Sequence, residues 1–248
     1  MSGMKLRNWV AWMPGCETVG AWRQWAHTGA PIVAGAGLLA APPPIKEIPP
    51  LLRRRAAAMG RAALHVLSRP ELPYAGQPIV LCSRHGEFQR SFDLQAELAR
   101  EGRVSPQQFG MSVHNATGGL FMMAQKARAP LTALAAGEEG ALAGLQEACA
   151  ELADGADAVW LLYCEEPLPG EYRQLLGDAA VRGDCHFAFL LELVSGSEFR
   201  LAPEAGGGEG RPALPLDLLR FLLRVEDARL CLSPRGNWTL RRTAIAGA

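Results

Sequence analysis

The chain has 248 residues, with 25 basic and 25 acidic side chains and therefore no net charge. Apolar residues make up 49% and charged residues 20%, which is the balance of a folded globular protein and excludes a disordered one. With no excess of positive charge, nucleic acid is not an expected partner, and the length fits one large domain or two small ones.

Asn8 to Trp12 reads as a short strand, closed by Pro14-Gly15. Glu17 to His27 follows as a helix with Trp22 and Trp25 on one side. Gly29 to Pro50 is rich in Gly, Ala and Pro and reads as a loop. Leu51 to Ser68 is a clear helix, stopped by Pro70. Pro78 to Ser83 is a short apolar run that suits a buried strand, and Phe92 to Arg100 is an amphipathic helix ended by Gly102. Val113 to Lys126 reads as a helix rich in small residues, and Pro130 to Ala136 as a buried strand. Gly137 turns the chain into a long helix, Glu138 to Ala153. That helix carries a wide apolar stripe of Ala141, Leu142, Leu145, Ala148, Cys149 and Leu152. Ala158 to Tyr163 and His186 to Val194 are further buried strands. Gly206 to Gly210 marks a flexible loop, Leu214 to Arg224 a last helix and Asn237 to Arg241 a last strand. Strands alternating with helices, with continuous apolar runs as strands, predict an α/β layered domain with both sheet faces covered.

Two uncharged stretches tie for the longest, 24–45 and 104–125. Their His, Pro, Gln and Asn residues rule out a membrane span. The apolar run after Met4 is too short for a signal-peptide core. Six scattered cysteines with no CxxC pair suggest a reduced cytoplasmic protein with mostly buried thiols.

The junction from Leu134 to Gly140 is the place where an α/β enzyme sets a nucleophile against a helix N-terminus. It holds neither Cys nor Ser. Its polar groups are Glu138 and Glu139, which also suit the helix dipole as simple caps. The five histidines show no HxxxH or HExxH spacing, so no metal is expected. His85 follows a strand end, where α/β ligands gather, although a loop hydrogen bond explains it equally well. Ser112 and His114 would share a face on a strand, but no acid partner accompanies them. Cys82 and Cys149 read as structural thiols. Arg53, Arg54 and Arg55 with Arg61 form a basic helix face, either solvated or facing an acidic partner. No Gly-rich nucleotide loop occurs, and no cofactor is expected.

The run from Ser105 to Leu120, with Ser112-Val113-His114-Asn115 and Gly118-Gly119 inside it, resembles the N-terminal domain of ketosynthase-like proteins of the thiolase superfamily. Thr132 to Gly137 looks like the ketosynthase strand that carries the nucleophilic cysteine. The resemblance takes in Trp9 to Trp12, Pro49 to Arg55, Ser83 to Glu87 and Asp157 to Pro169. It covers most of residues 8–195 and not the stretch 200–248, which it leaves as a short C-terminal extension of a single domain. It is closest to the chain-length-factor-like proteins of type II systems that make aryl polyenes.

The resemblance implies a thiolase-like half-fold with a mixed central sheet and helices on both faces. Ketosynthases read Thr-Ala-Cys-Ala at the strand end, so their cysteine falls on Leu134. Their histidine pair, from a C-terminal half, has no counterpart here. A thioester condensation needs that thiolate and those bases. The implied role is therefore a non-catalytic subunit that pairs with a full-length ketosynthase and shapes its acyl channel, with an acyl carrier protein as second partner. By motif position Phe109, Met111 and Val113 would gate the channel, with Phe121 and Met122 behind them. Arg53, Arg54, Arg55 and Arg61 would attract the carrier. Two other readings remain open: a malonyl-thioester decarboxylase using Glu138, and an acyltransferase or hydrolase using Ser112 and His114.

Overall fold

Eight strands form one mixed sheet: β1 (Gly3–Trp12), β2 (Ile79–Cys82), β3 (Leu131–Leu134), β4 (Val159–Glu165), β5 (Phe187–Ser195), β6 (Phe199–Pro203), β7 (Arg229–Ser233) and β8 (Trp238–Arg242). The structure is a computed structural model and describes residues 3–29, 42–176, 185–204, 211–233 and 237–243. The strand order is β3-β2-β4-β5-β1-β6-β8-β7. β2 runs parallel to β3 and β4, and every other pairing is antiparallel. The described helices are α1 (Val19–Thr28), α2 (Pro50–Arg53), α3 (Ala58–Leu67), α4 (Phe88–Glu101), α5 (Pro106–Gly110), α6 (Ala116–Gln125), α7 (Gly140–Ala153), α8 (Gly170–Leu176) and α9 (Pro215–Leu223). None of them is long and apolar enough to cross a membrane.

The sheet buries both faces, which explains the unbroken apolar strands in the sequence. Val80, Val159, Leu161, Tyr163, Phe189 and Leu191 point into one core with α1, α7 and α9. Ile79, Leu81, Trp160, Leu162 and Leu190 point into the other, with α3 and α6. This is the mixed α/β half-fold, covered on both faces, that the sequence leads one to expect. Residues 199–242 continue the same sheet through β6, β7 and β8, and α9 packs on the α7 face.

Several boundaries differ from expectation. The helix expected over 51–68 is broken: α2 ends at Arg53 and α3 begins at Ala58. Arg90 Nη2 donates to the Arg55 carbonyl at 2.9 Å and holds the break. The new start of α3 offers its Met59 amide to the buried Glu166 carboxyl, which a continuous helix would not do. Arg53 to Arg55 therefore do not share one helix face with Arg61. The helix expected from Val113 begins at Ala116, after the separate α5. β3 is a half-exposed edge strand rather than a buried one, because nothing among the described residues pairs with its outer side. Strands β6 and β7 were not foreseen, and the Gly206–Gly210 loop lies outside the described residues.

The long helix expected from Glu138 begins at Gly140, after a single 3-10 turn over Gly137–Glu139. All six residues of its stripe are buried. Gly144 lets it sit close on the sheet. A Cβ there would stand 2.5 Å from Tyr163 Oη and 2.7 Å from Cys82 Sγ. Tyr163 cannot yield, since it is buried and its hydroxyl donates to the Ala141 carbonyl at 2.8 Å. Gly144→Ala should destabilise the chain by about 1–3 kcal/mol, overpacking outweighing alanine's helix preference. A denaturant titration reads this, and an unchanged or raised midpoint would refute the packing.

Candidate functional site

The region singled out by sequence gathers at the C-terminal ends of β2, β3 and β4. Leu134 ends β3, half-buried, and its carbonyl accepts the Ser83 amide at 3.2 Å. Gly137 adopts φ +58 and starts the 3-10 turn. Glu138 projects from that turn and meets Arg84 at 3.4 Å. Its side chain is 42% exposed, so this ion pair is weak.

Ser112 and His114 lie in the turn between α5 and α6, not on a strand, and do not act together. The Ser112 hydroxyl donates to the Phe109 carbonyl at 2.8 Å. His114 Nε2 lies 2.8 Å from the Ser83 carbonyl, which fixes that nitrogen as the protonated one. Its ring packs on Gly86, where a Cβ would stand 2.8 Å from Nδ1. Gly86 is at φ +65, so glycine serves both the turn and the ring. Asn115 stands at the start of α6 and its carbonyl accepts the Gly119 amide. Gly118 is pressed on Leu131 of β3, whereas Gly119 faces open space. This motif is thus a structural tie between β2 and α6.

The proposed gate residues divide. Phe109 is 60% exposed and Val113 45%, and Met111 is half-buried against the α3 core. Phe121 and Met122 are buried in that core, where Phe121 stacks edge-on with Tyr74, so neither faces a channel within this chain. Met123, which the sequence did not single out, is 52% exposed. With Ala116 and Gly119 it forms the outward side of α6. The signal was present as small residues and one Met at helical spacing.

No described cysteine here is a poised nucleophile. Burial raises the Cys82 and Cys164 thiols and pushes Cys149 up to about 11 and Cys16 to about 12. Among the described residues, no three His, Cys, Asp or Glu side chains are grouped to hold a metal ion. A cavity of about 40 Å³ lies between the ends of β2 and β4 and the start of α9. It has room for a water or two and none for an acyl chain. The sequence reading also missed Glu87, Glu165 and Glu166, three buried carboxyls of which the last two line this cavity. Their signal was a pair of acids directly after the apolar β4 run.

The arginines sit apart. Arg54 and Arg55 are exposed and line, with Gln107, Gln108 and Met111, an open groove of about 260 Å³. Arg61 lies on α3, half-buried.

The family model of the beta-ketoacyl synthase N-terminal domain matches residues 22–239. A chain in the structure of a ketosynthase in complex with its chain length factor from Xenorhabdus doucetiae superposes with a TM-score of 0.79 at 26% identity, covering 97% of this chain and 99% of that one. The ishigamide ketosynthase/chain length factor gives 0.62 at 16% identity, over 82% of this chain and 68% of the other. A type II polyketide acyl-carrier protein in complex with its ketosynthase gives 0.60 at 15% identity, over 82% and 70%. The last two show the fold alone. No curated protein matches the chain.

Proposed function

Because the chain belongs to the beta-ketoacyl synthase N-terminal domain family, we propose that it is the non-catalytic, chain-length-factor subunit of a type II synthase of the aryl polyene kind. It pairs with a full-length ketosynthase and shapes the acyl channel between them. The observation that carries this reading is the outer edge of β3, unpaired among the described residues, beside an exposed apolar stretch. Phe109, Val113 and Met123 are each about half exposed or more, and α6 rests on β3 through Gly118 and Leu131. An unpaired edge next to an apolar shelf is a surface that seeks a partner. Leu134 in place of a nucleophile, and a cavity beside it too tight for an acyl chain, point the channel toward the interface.

The match to a chain of nearly its own length in a ketosynthase–chain length factor complex supports the same role. Carrier docking is assigned to Arg53, Arg54 and Arg55, with Arg61 further along. A cytoplasmic location fits the buried thiols of Cys16, Cys82, Cys149 and Cys164, none in a disulfide. Co-expression with the ketosynthase of the same system should yield one complex of both chains. Two chains that never associate would overturn the reading.

Within that complex Phe109 should limit product length. A polyene is stiff and stops where a ring blocks it. Phe109 is mostly exposed in the free chain, so Phe109→Ala costs less than about 0.5 kcal/mol of subunit stability. Longer products with an unchanged melting curve are the expected outcome, read by product mass profiling. A product distribution identical to wild type would remove Phe109 from the gate.

A further inference from the structure

Three carboxyls are buried together where β4 ends. Glu87 is 2% exposed, Glu165 8% and Glu166 6%. Between them they tie down residues 83–89. Glu165 accepts the backbone amides of Arg84 and His85 and meets the Ser83 hydroxyl at 3.2 Å. Glu166 accepts the Gln89 amide at 3.0 Å and the Met59 amide at the start of α3. Glu87 receives Arg90 Nε at 2.6 Å and Thr117 Oγ1 at 3.3 Å.

The charges do not balance. Arg90 answers Glu87, and Arg84, whose charge also reaches Glu165, is turned to Glu138. The remaining titratable groups around the pair are Cys82 on β2, Tyr163 and Cys164 on β4, His85 in the segment itself and, around the larger cavity that Glu166 lines, Asp93 and Glu97 on α4, Arg173 on α8 and His186. Among the described residues, the one ion pair inside the cluster is that of Arg90 with Glu87. Two unpaired carboxylates in this setting are costly. Desolvation accordingly outweighs the amide bonds and pushes both Glu165 and Glu166 up to about 7.

The neutral form fits the contacts. A protonated Glu165 Oε2 donates to Ser83 Oγ, which also accepts the Gly86 amide at 2.8 Å. The Ser83 hydroxyl is then free to donate to Met59 Sδ at 3.6 Å, and Glu165 Oε1 still accepts the Arg84 amide. Each donor around Glu165 thus has an acceptor, and Glu166 keeps the bonds it accepts from the Gln89 and Met59 amides. Ionisation turns the Ser83 hydroxyl back to donate to the Glu165 carboxylate and leaves Glu165 and Glu166 as buried charges with no ion pair among the described residues.

We propose that this cluster is a proton-operated latch on residues 83–89: with Glu165 and Glu166 neutral the segment lies closed on β4, and their ionisation releases it so that water reaches the carboxylates. The segment lines two cavities and holds His114 through the Ser83 carbonyl. Its opening therefore loosens the turn that carries Phe109 to His114. The latch stands on its own contacts and does not depend on the subunit role.

The sign follows from linkage. The folded pKa values lie above the ordinary carboxyl value of 4.5, so closure is fully supported below that value and weakens as pH rises through about 7. Amide hydrogen exchange of the full chain, corrected for intrinsic rates, tests this between pH 5.5 and 8.5. Protection of residues 83–89 should fall about tenfold or more relative to β5. Glu165→Gln and Glu166→Gln, which mimic the neutral groups, should keep the segment protected at pH 8.5. Protection that tracks β5 at every pH overturns the latch, as does a Gln variant that opens like wild type. If the Gln variants do not fold, the wild-type series alone decides.

Discussion

Met123→Arg should abolish pairing with the ketosynthase while leaving the subunit folded. Met123 is 52% exposed on the outward side of α6, next to Gly119, where a Cβ would meet nothing. Small residues around one flexible apolar side chain allow a partner helix to come close. An arginine there brings a charge into the desolvated centre of the contact without a counter-ion. Such a change weakens binding by about 100-fold or more. In the free chain the new side chain reaches solvent, so its melting curve stays within roughly 0.5 kcal/mol of wild type. Titration calorimetry of the purified subunits reads the first effect. Wild-type affinity in the variant would move the interface away from α6.

Trp160→Ala should be the most damaging single substitution in the fold. Trp160 is fully buried on β4, between β2 and β5, with its ring 5.1 Å from Tyr74 and 6.1 Å from Phe121. Its removal empties the centre of the α3–α6 core. The expected loss is about 3–5 kcal/mol, set against a total stability of about 5–15 kcal/mol. For a chain of this size that lowers the melting temperature by roughly 10 °C. Calorimetry of the isolated chain tests it, and a drop of only a degree or two would mean the core closes around the gap. Phe121 shares this core, so a Phe121 variant that changes product length does so through the fold.

The central strands were legible because both sheet faces are covered: the IVLC, VWLLYCE and FAFLLELV runs admit no other placement. β6 and β7 were not, because each is only five residues long and its alternation of exposed and buried side chains is too short to stand out. The helix break at Arg54 was hidden for a different reason. Its cause is Glu166, more than a hundred residues on, whose carboxyl takes the freed amide of α3. The same distance effect hid the candidate site's acids. Glu87, Glu165 and Glu166 look like surface carboxyls in sequence and meet only when β2 and β4 pair. Ser112 and His114 were misread as strand neighbours because their partners, the Phe109 and Ser83 carbonyls, are backbone atoms that carry no sequence signal. Phe109 and Val113, singled out through the resemblance, are exposed.

The pairing of β1 with β5 governs how the chain is made. Trp12 lies against Ala188 and Met4 against Ser195. On the ribosome, the first strand emerges and then waits until β2, β3, β4 and β5 have been synthesised. At about 5–20 residues per second that wait is roughly 10–40 s. During it the Trp-Val-Ala-Trp strand has no strand to pair with, and closing so large a loop is intrinsically slow. The nascent chain is then at its most prone to aggregate. Translation speed and chaperone supply should therefore govern the yield of this protein more than the stability of the finished fold does.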